Sequence, residues 1–241
     1  MDSNGGTPST AVAPADLALW RKRMREELIA RRLAAPAQTR RDWSIAISLL
    51  LLQGVPWREG MTIGFCWPYK GEYDARPLLR LLRDRGMKCA LPVVEKRAQP
   101  LLFRYWSPGV AMRKGPLDIP YPTETAQVHP DILLIPLVGF GRVGDRLGYG
   151  GGYFDRTLAS LEPQPLSIGV GFELAQLEST FPQAHDILMD AIVTEGGMRW
   201  REIGALKEVT PQQLRGCLVD LAQDRTQFAR INAHTVPASF P

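Results

Sequence analysis

DILLIPLVGFGRVGDRLGYGGGYFDRTL, residues Asp131 to Leu158, opens with an apolar run, Ile132 to Val138, of the length of a strand buried on both faces. The run stops at glycine. Gly139, Gly141, Gly144, Gly148, Gly150, Gly151 and Gly152 fall within fourteen residues, so the backbone there can approach a ligand with no Cβ in the way. Tyr153, Phe154, Leu158 and Leu161 then recur at helical spacing, which predicts a helix starting near Gly150. A loop of bare amides at a helix start, mixed with Arg142, Asp145, Arg146, Asp155 and Arg156, predicts a phosphate-binding loop; the plain alternative is a long turn with no ligand.

Working outward, the 241 residues suit one large domain or one domain with extensions. Hydrophobic residues at 45% and charged ones at 22% are ordinary for a globular protein. A net charge of +4 with no basic run permits an anionic ligand without requiring nucleic acid, and no partner nucleic acid or membrane is expected. Cys66, Cys89 and Cys217 form no zinc or CxxC pattern and read as reduced thiols of a cytoplasmic protein. The longest apolar segment, Ile45 to Leu52, is too short to span a bilayer. Residues 1–15 read as a disordered tail, residues 16–200 as an α/β domain, and residues 201–241 as an extension with one amphipathic helix.

Asp16 is placed to cap a first helix running to about Leu33, with Leu17, Trp20, Met24 and Leu28 on one face. Arg21, Arg25 and Arg32 form a second stripe, either a solvated basic face or a set of guanidinium groups aimed at one ligand. A second helix is expected from Thr39 to about Leu52. Met61 to Trp67 reads as the first strand, followed by the turn Pro68 to Gly71 and a helix that buries Leu78, Leu81 and Leu82. Lys88 to Val94 gives a second strand and Leu101 to Trp106 an alternating one suited to a sheet edge. The proline-rich residues 107–130 form a loop long enough to cover a site. Leu166 to Phe172 and Ala191 to Thr194 are further strands, with a short helix near Glu173 to Glu178. Thr210 to Gln213 opens the last helix as a capping box, with Leu214, Leu218, Leu221 and Phe228 on its face. Strand, helix, strand order gives a mainly parallel, doubly wound sheet with helices on both faces, whose ligands sit at the carboxyl ends of strands.

Gly139 to Gly144 matches GxGxxG in form only, because the helix does not open within those glycines and the next strand runs into Phe172-Glu173 too far downstream; nicotinamide binding is disfavoured. GxxxxGK[ST] does not occur. The second half of the loop says more. Arg146 is suited to pair with a phosphate, and Asp155 lies one helical turn past the glycines, where a carboxylate can hold Mg²⁺ or simply complement the helix dipole. Asp190 is a candidate second metal carboxylate.

GFGRVGDRLGYGGGYFDRTL closely resembles the signature of the 5-formyltetrahydrofolate cyclo-ligase family. The resemblance runs from about Leu19 to Glu195: RKRMREELIARR resembles the family's basic first helix, GEYDARPLL its folate-side turn and HDILMDAIVTE its closing segment. It implies a Rossmann-like three-layer α/β/α fold with a mainly parallel sheet, CoA-transferase-like, here carrying a C-terminal helical extension. The activity implied is ATP-dependent closure of 5-formyltetrahydrofolate to 5,10-methenyltetrahydrofolate with release of ADP and phosphate, using Mg²⁺, in a monomer or homodimer. By the same resemblance ATP meets Arg21, Lys22, Arg25, Arg146, Leu147, Gly148, Tyr149, Gly150, Gly151, Gly152, Tyr153 and Phe154. Trp67 and Glu72 meet the folate, Asp155 and Asp190 the metal, and Arg146 and Tyr153 the reacting groups. Arg21 stands where the family typically begins its motif with Lys, and Tyr149 and Gly151 stand where some members are basic. These departures leave room for a paralogue that binds folate and nucleotide in a regulatory role without turnover.

Overall fold

The computed structural model describes residues 15–235, with side chains through residue 227. The expected N-terminal tail thus lies almost wholly outside the described residues, as does the side chain of Phe228. The chain runs through α1 (Leu17–Ala34), α2 (Ala37–Gly54), β1 (Thr62–Gly64), α3 (Arg76–Asp84), β2 (Lys88–Val93) and β3 (Leu102–Trp106). There follow β4 (Met112–Lys114), β5 (Pro120–Pro122), β6 (Ile132–Pro136), β7 (Gly139–Phe140), β8 (Arg146–Leu147) and α4 (Tyr153–Ser160). The last third holds β9 (Leu166–Val170), β10 (Ala191–Thr194), β11 (Gly197–Glu202), β12 (Ala205–Val209) and α5 (Pro211–Thr235).

Eight strands form one sheet in the order β12-β11-β10-β9-β6-β1-β2-β3. The strands β10, β9, β6, β1 and β2 are mutually parallel, and antiparallel β3 and β11–β12 extend the two sides. β6 lies in the middle because its apolar side chains satisfy both faces: Ile132 and Leu134 join the cluster beneath α2, α3 and α5, whereas Leu133 and Ile135 join the one beneath α4. The α/β architecture with helices on both faces is as the sequence implies.

Several boundaries move for physical reasons. β1 stops at Gly64, three residues before the expected end, with one further bond from Phe65 N to Ala90 O; the chain then turns so that Cys66 and Trp67 face a cleft. α3 buries Leu78, Leu79 and Leu82, leaving Leu81 48% exposed in place of the predicted set. The expected helix at 173–178 shrinks to one turn, Glu173–Ala175. Residues 107–130 carry the hairpin β4–β5, and the glycine loop contains the pair β7–β8, so neither is structureless. α4 starts at Tyr153, after Gly152, rather than near Gly150.

The boundary placed at residue 200 falls inside β11, which pairs with β10 on one side and β12 on the other. α5 begins with the predicted capping box: Thr210 N donates to Gln213 Oε1 at 2.9 Å and Gln213 N to Thr210 Oγ1 at 3.3 Å. Leu214 and Leu218 are fully buried in the cluster shared with α2 and β11. The extension therefore completes the core instead of decorating it. Both sides of the sheet are engaged beyond their own strands. Tyr105 N donates to Ala126 O and Val128 N to Phe103 O outside β3, and Leu206 N of β12 donates to Arg142 O.

Leu214→Ala is expected to destabilise the whole domain by about 2–5 kcal/mol, since a buried leucine leaves a cavity when truncated. Urea unfolding followed by fluorescence should show a lowered midpoint with an unchanged slope; a midpoint matching the parent chain would mean that α5 is an appendage.

Candidate active site

The carboxyl ends of β1, β2 and β6 open into a cleft of about 560 Å³. One wall is the glycine loop, the other the turn after β1, and the hairpin tip 115–121 closes a third side. The long segment expected to cover a site does so.

α1 positions the glycine loop. Leu28 packs with Val138 and Leu147 beneath it, and two arginines reach across. Arg25 Nε donates to Gly148 O at 2.7 Å, and Gly150 suits its position beside that guanidinium, because its φ is +89° and an added Cβ would lie 3.3 Å from Arg25. Arg32 is only 4% exposed. Its three nitrogens donate to Lys70 O at 3.0 Å, Leu137 O at 3.2 Å and Tyr149 Oη at 3.1 Å. Asp145, fully buried, folds the other end of the loop: it accepts from Thr180 N and from Val143 N, and a Cβ on Gly141 would lie 2.2 Å from its carboxylate.

The predicted nucleotide residues divide. Arg21, Arg25, Arg146 to Phe154 and Asp155 all line the cleft, whereas Lys22 is exposed and does not. A helix places neighbours about 100° apart, so Lys22 and Arg21 cannot share one direction. Arg21 is engaged by Thr180 O, Phe181 O and Asp186 at 2.8 Å. Arg146 is engaged by Ile187 O and by Asp155 at 2.7 Å. Arg25 differs, because only its Nε has a partner among the described residues. Burial and the neighbouring Arg21 charge hold its pKa below the usual range, which is the state of a cation lacking a counter-ion.

Trp67 and Glu72 line the same cleft from the opposite wall. Glu72 is 8% exposed; its Oε1 accepts from Tyr149 Oη at 2.7 Å and its Oε2 from Tyr69 N at 3.0 Å, with Arg32 3.8 Å away. Tyr149, expected to serve the nucleotide, thus turns its hydroxyl to Glu72, the carboxylate expected to serve the folate. Burial is the main cause that raises the Glu72 pKa, against the opposing pull of Tyr149, Arg32 and the Tyr69 amide. Burial, then the Glu72 charge, also push up the Cys66 thiol, so that cleft cysteine is no nucleophile.

The two metal candidates separate. Asp155 lies on the cleft wall, and its two hydrogen bonds, from Arg146 and from Ile187 N, both fall on Oδ1. Asp190 does not line the cleft. It is 1% exposed, bound by both Nη atoms of Arg225 at 2.8 and 2.9 Å, by Ser167 N and Oγ, and by Arg201. A carboxylate so fully engaged is placed as a buried structural anion, and the structure does not bring it to the cleft with Asp155. Arg225, the residue that decides this, lies 35 positions away on α5 and gave no sequence signal. Arg32 and Asp145 were also missed as site-shaping residues, although the helical phase of Arg32 with Arg21 and Arg25 had hinted at the first.

A family model described as the 5-formyltetrahydrofolate cyclo-ligase family matches residues 18–195. The chain is 33% identical over 142 residues to the 5-formyltetrahydrofolate cyclo-ligase of Escherichia coli, covering 55% of this chain and 77% of that one. It is 30% identical over 183 residues to the Haemophilus influenzae protein of the same name, covering 72% and 97%. Among solved structures, the 5,10-methenyltetrahydrofolate synthetase of Aquifex aeolicus superposes with a TM-score of 0.64 at 27% identity, over 78% of this chain and 95% of that one.

The raised Glu72 pKa has a measurable sign. The folded chain holds this proton more tightly than the unfolded chain, so the stability it contributes is fully present below the ordinary value of 4.5 and is lost as pH rises through the higher folded value. Subtracting the unfolding free energy of Glu72→Gln from that of the parent across this pH range should give a curve that falls with rising pH; a flat difference would place Glu72 in a water-like environment.

Proposed function

The chain belongs to the 5-formyltetrahydrofolate cyclo-ligase family, and from that membership we propose that its cleft closes 5-formyltetrahydrofolate to 5,10-methenyltetrahydrofolate at the expense of ATP. The observation that carries the reading is the facing of two walls across one cleft, a glycine loop with an uncompensated Arg25 on one side and Trp67 with a buried Glu72 on the other. The first is chemistry for phosphates, the second for a flat heterocycle with N–H donors.

In this reading the amides of residues 148–152 and the Nη atoms of Arg25, which have no partner among the described residues, hold the triphosphate. Arg21 and Arg146, already tied to the 181–187 segment, contribute charge and fix that segment. The pterin lies along Trp67 with its N–H edge on Glu72, and Tyr153, which stands at the start of α4 on the cleft wall, separates the two substrates. The formyl oxygen attacks the γ-phosphorus and ADP departs. N10 then adds to the activated formyl carbon and loses its proton, and the carbon–oxygen bond breaks to release phosphate that carries the former formyl oxygen. Positioning and charge neutralisation supply the rate.

Magnesium fits the site on one carboxylate. Among the described residues no group of three or more His, Cys, Asp or Glu side chains could hold a metal by itself. Mg²⁺ bound with a nucleotide needs only one or two protein carboxylates, because phosphate oxygens and waters complete its shell. Asp155, with Oδ2 free of hydrogen bonds among the described residues, would supply that ligand and the ion would neutralise phosphate charge.

Purified protein given 5-formyltetrahydrofolate and Mg-ATP should develop methenyl absorbance with one ADP per product; silence beside an active relative would overturn the reading. Asp155→Asn should lower kcat/KM by at least about tenfold and raise the magnesium requirement, and Glu72→Gln should raise the folate KM by about tenfold with a smaller change in kcat. Steady-state kinetics of both variants, with magnesium varied, check the assignment of the two walls.

A further inference from the structure

The Tyr149 hydroxyl joins the two walls of the cleft directly. Tyr149 Oη donates to Glu72 Oε1 at 2.7 Å and accepts from Arg32 Nη2 at 3.1 Å, which fixes its direction. The ring stands edge-on to Tyr69, with centroids 5.6 Å apart, and is 38% exposed, so the phenol is anchored at its tip and open along its side. On the chain it sits between Gly148 and Gly150, in the glycine stretch that lines the cleft and that is proposed to hold the nucleotide. Phosphate binding gives no reason for a phenol on that loop to point at a carboxylate 77 positions earlier.

Glu72 has both oxygens occupied from within the chain, Oε1 by Tyr149 and Oε2 by the Tyr69 amide. A pterin that presents two adjacent N–H donors needs both oxygens of the same carboxylate, so its arrival sets a competition for Oε1 with the Tyr149 hydroxyl. Loss of the hydroxyl's acceptor therefore removes one of the bonds that hold the loop at residue 149 against the Glu72 wall, leaving Arg32 as the hydroxyl's partner.

We propose that Tyr149 is a latch coupling the two substrates: in the free protein it ties the glycine loop to Glu72, and a reduced folate that takes Oε1 releases the loop for the nucleotide. The inference rests on the assignment of the pterin to Glu72. Thermodynamic reciprocity then requires that nucleotide tighten folate binding by the same factor by which folate tightens nucleotide binding. Tyr149 is in this sense a positioning residue, acting through the loop and the carboxylate and not on the reacting atoms.

The test is calorimetric titration of 5-formyltetrahydrofolate into the full chain, with and without a non-hydrolysable ATP analogue and Mg²⁺, for the parent, Tyr149→Phe and Glu72→Gln. For the parent, the analogue should tighten folate binding by roughly fivefold or more, the lower range of allosteric coupling. Tyr149→Phe should bind folate about five- to tenfold more tightly without nucleotide, as expected when a competing bond to a charged acceptor is gone, and the analogue should add less than about twofold. Tyr149→Leu, which also lacks the hydroxyl, should lose the coupling in the same way. Folate binding by Tyr149→Phe that is unchanged or weaker, or coupling that survives in both variants, overturns the latch. If instead the parent binds no folate, or Glu72→Gln binds it as well as the parent does, the assignment of the pterin to Glu72 has failed and the latch falls with it; a Phe variant that behaves like a folate-binding parent, beside a weakened Glu72→Gln, sinks the latch alone.

Discussion

One buried cation organises the cleft. Arg32 reaches from α1 into a pocket that hides nearly all of it, and a guanidinium so placed is costly unless every donor is met. The partners it finds come from three segments distant in sequence: Lys70 from the turn after β1, Leu137 from the end of β6 and Tyr149 from the glycine loop. Lys70 lies beyond the end of β1 and Tyr149 beyond the end of β8, so neither position sits within a strand. The turn that carries Glu72 and the loop that carries the glycines are thereby fixed relative to each other by a side chain from neither. Arg25 adds a second tie from the same helix face, at Gly148. A basic stripe that sequence alone could not tell from a solvated surface is, at these positions, the frame of the site.

What the sequence made legible follows from the range over which each signal acts. The buried strand β6, the glycine loop after it, the capping of α1 by Asp16 and the capping box of α5 are all local patterns, and each appears where the residues placed it. The phase of α3 was not legible because a nine-residue helix with leucines at 78, 79, 81 and 82 admits two apolar faces, and only packing selects the one that leaves Leu81 outside. β11 and β12 were missed because Arg199, Arg201, Lys207 and Glu208 interrupt the alternation; Arg199 is nonetheless buried, satisfied by Glu173 at 2.6 Å. Asp190 shows the same range effect in reverse. A carboxylate near a candidate site reads as a metal ligand until its long-range partner is seen.

That partner also gives the C-terminal helix a place in the architecture. The family match ends at residue 195, and Asp190 lies just inside it, while Arg225 lies beyond. Through Asp190, α5 is tied to Ser167 at the start of β9, and the neighbouring Ile187 receives Asp155 and Arg146 from the cleft wall. Support for the site thus passes from the extension through one buried anion into the segment that closes the cleft.

The covered borders of the sheet bear on the life of the molecule in a crowded solution. A strand border with unpaired amides and carbonyls is a template on which another chain can add itself, the first step toward fibrous aggregates. Here Phe103 and Tyr105 of β3 are already paired with residues 126–128, and Leu206 of β12 is spoken for by Arg142. The segment that shelters β3 belongs to the same connection that forms the cleft's hairpin. Shortening that connection to widen the cleft would therefore also strip a border strand of its cover, trading access for self-association.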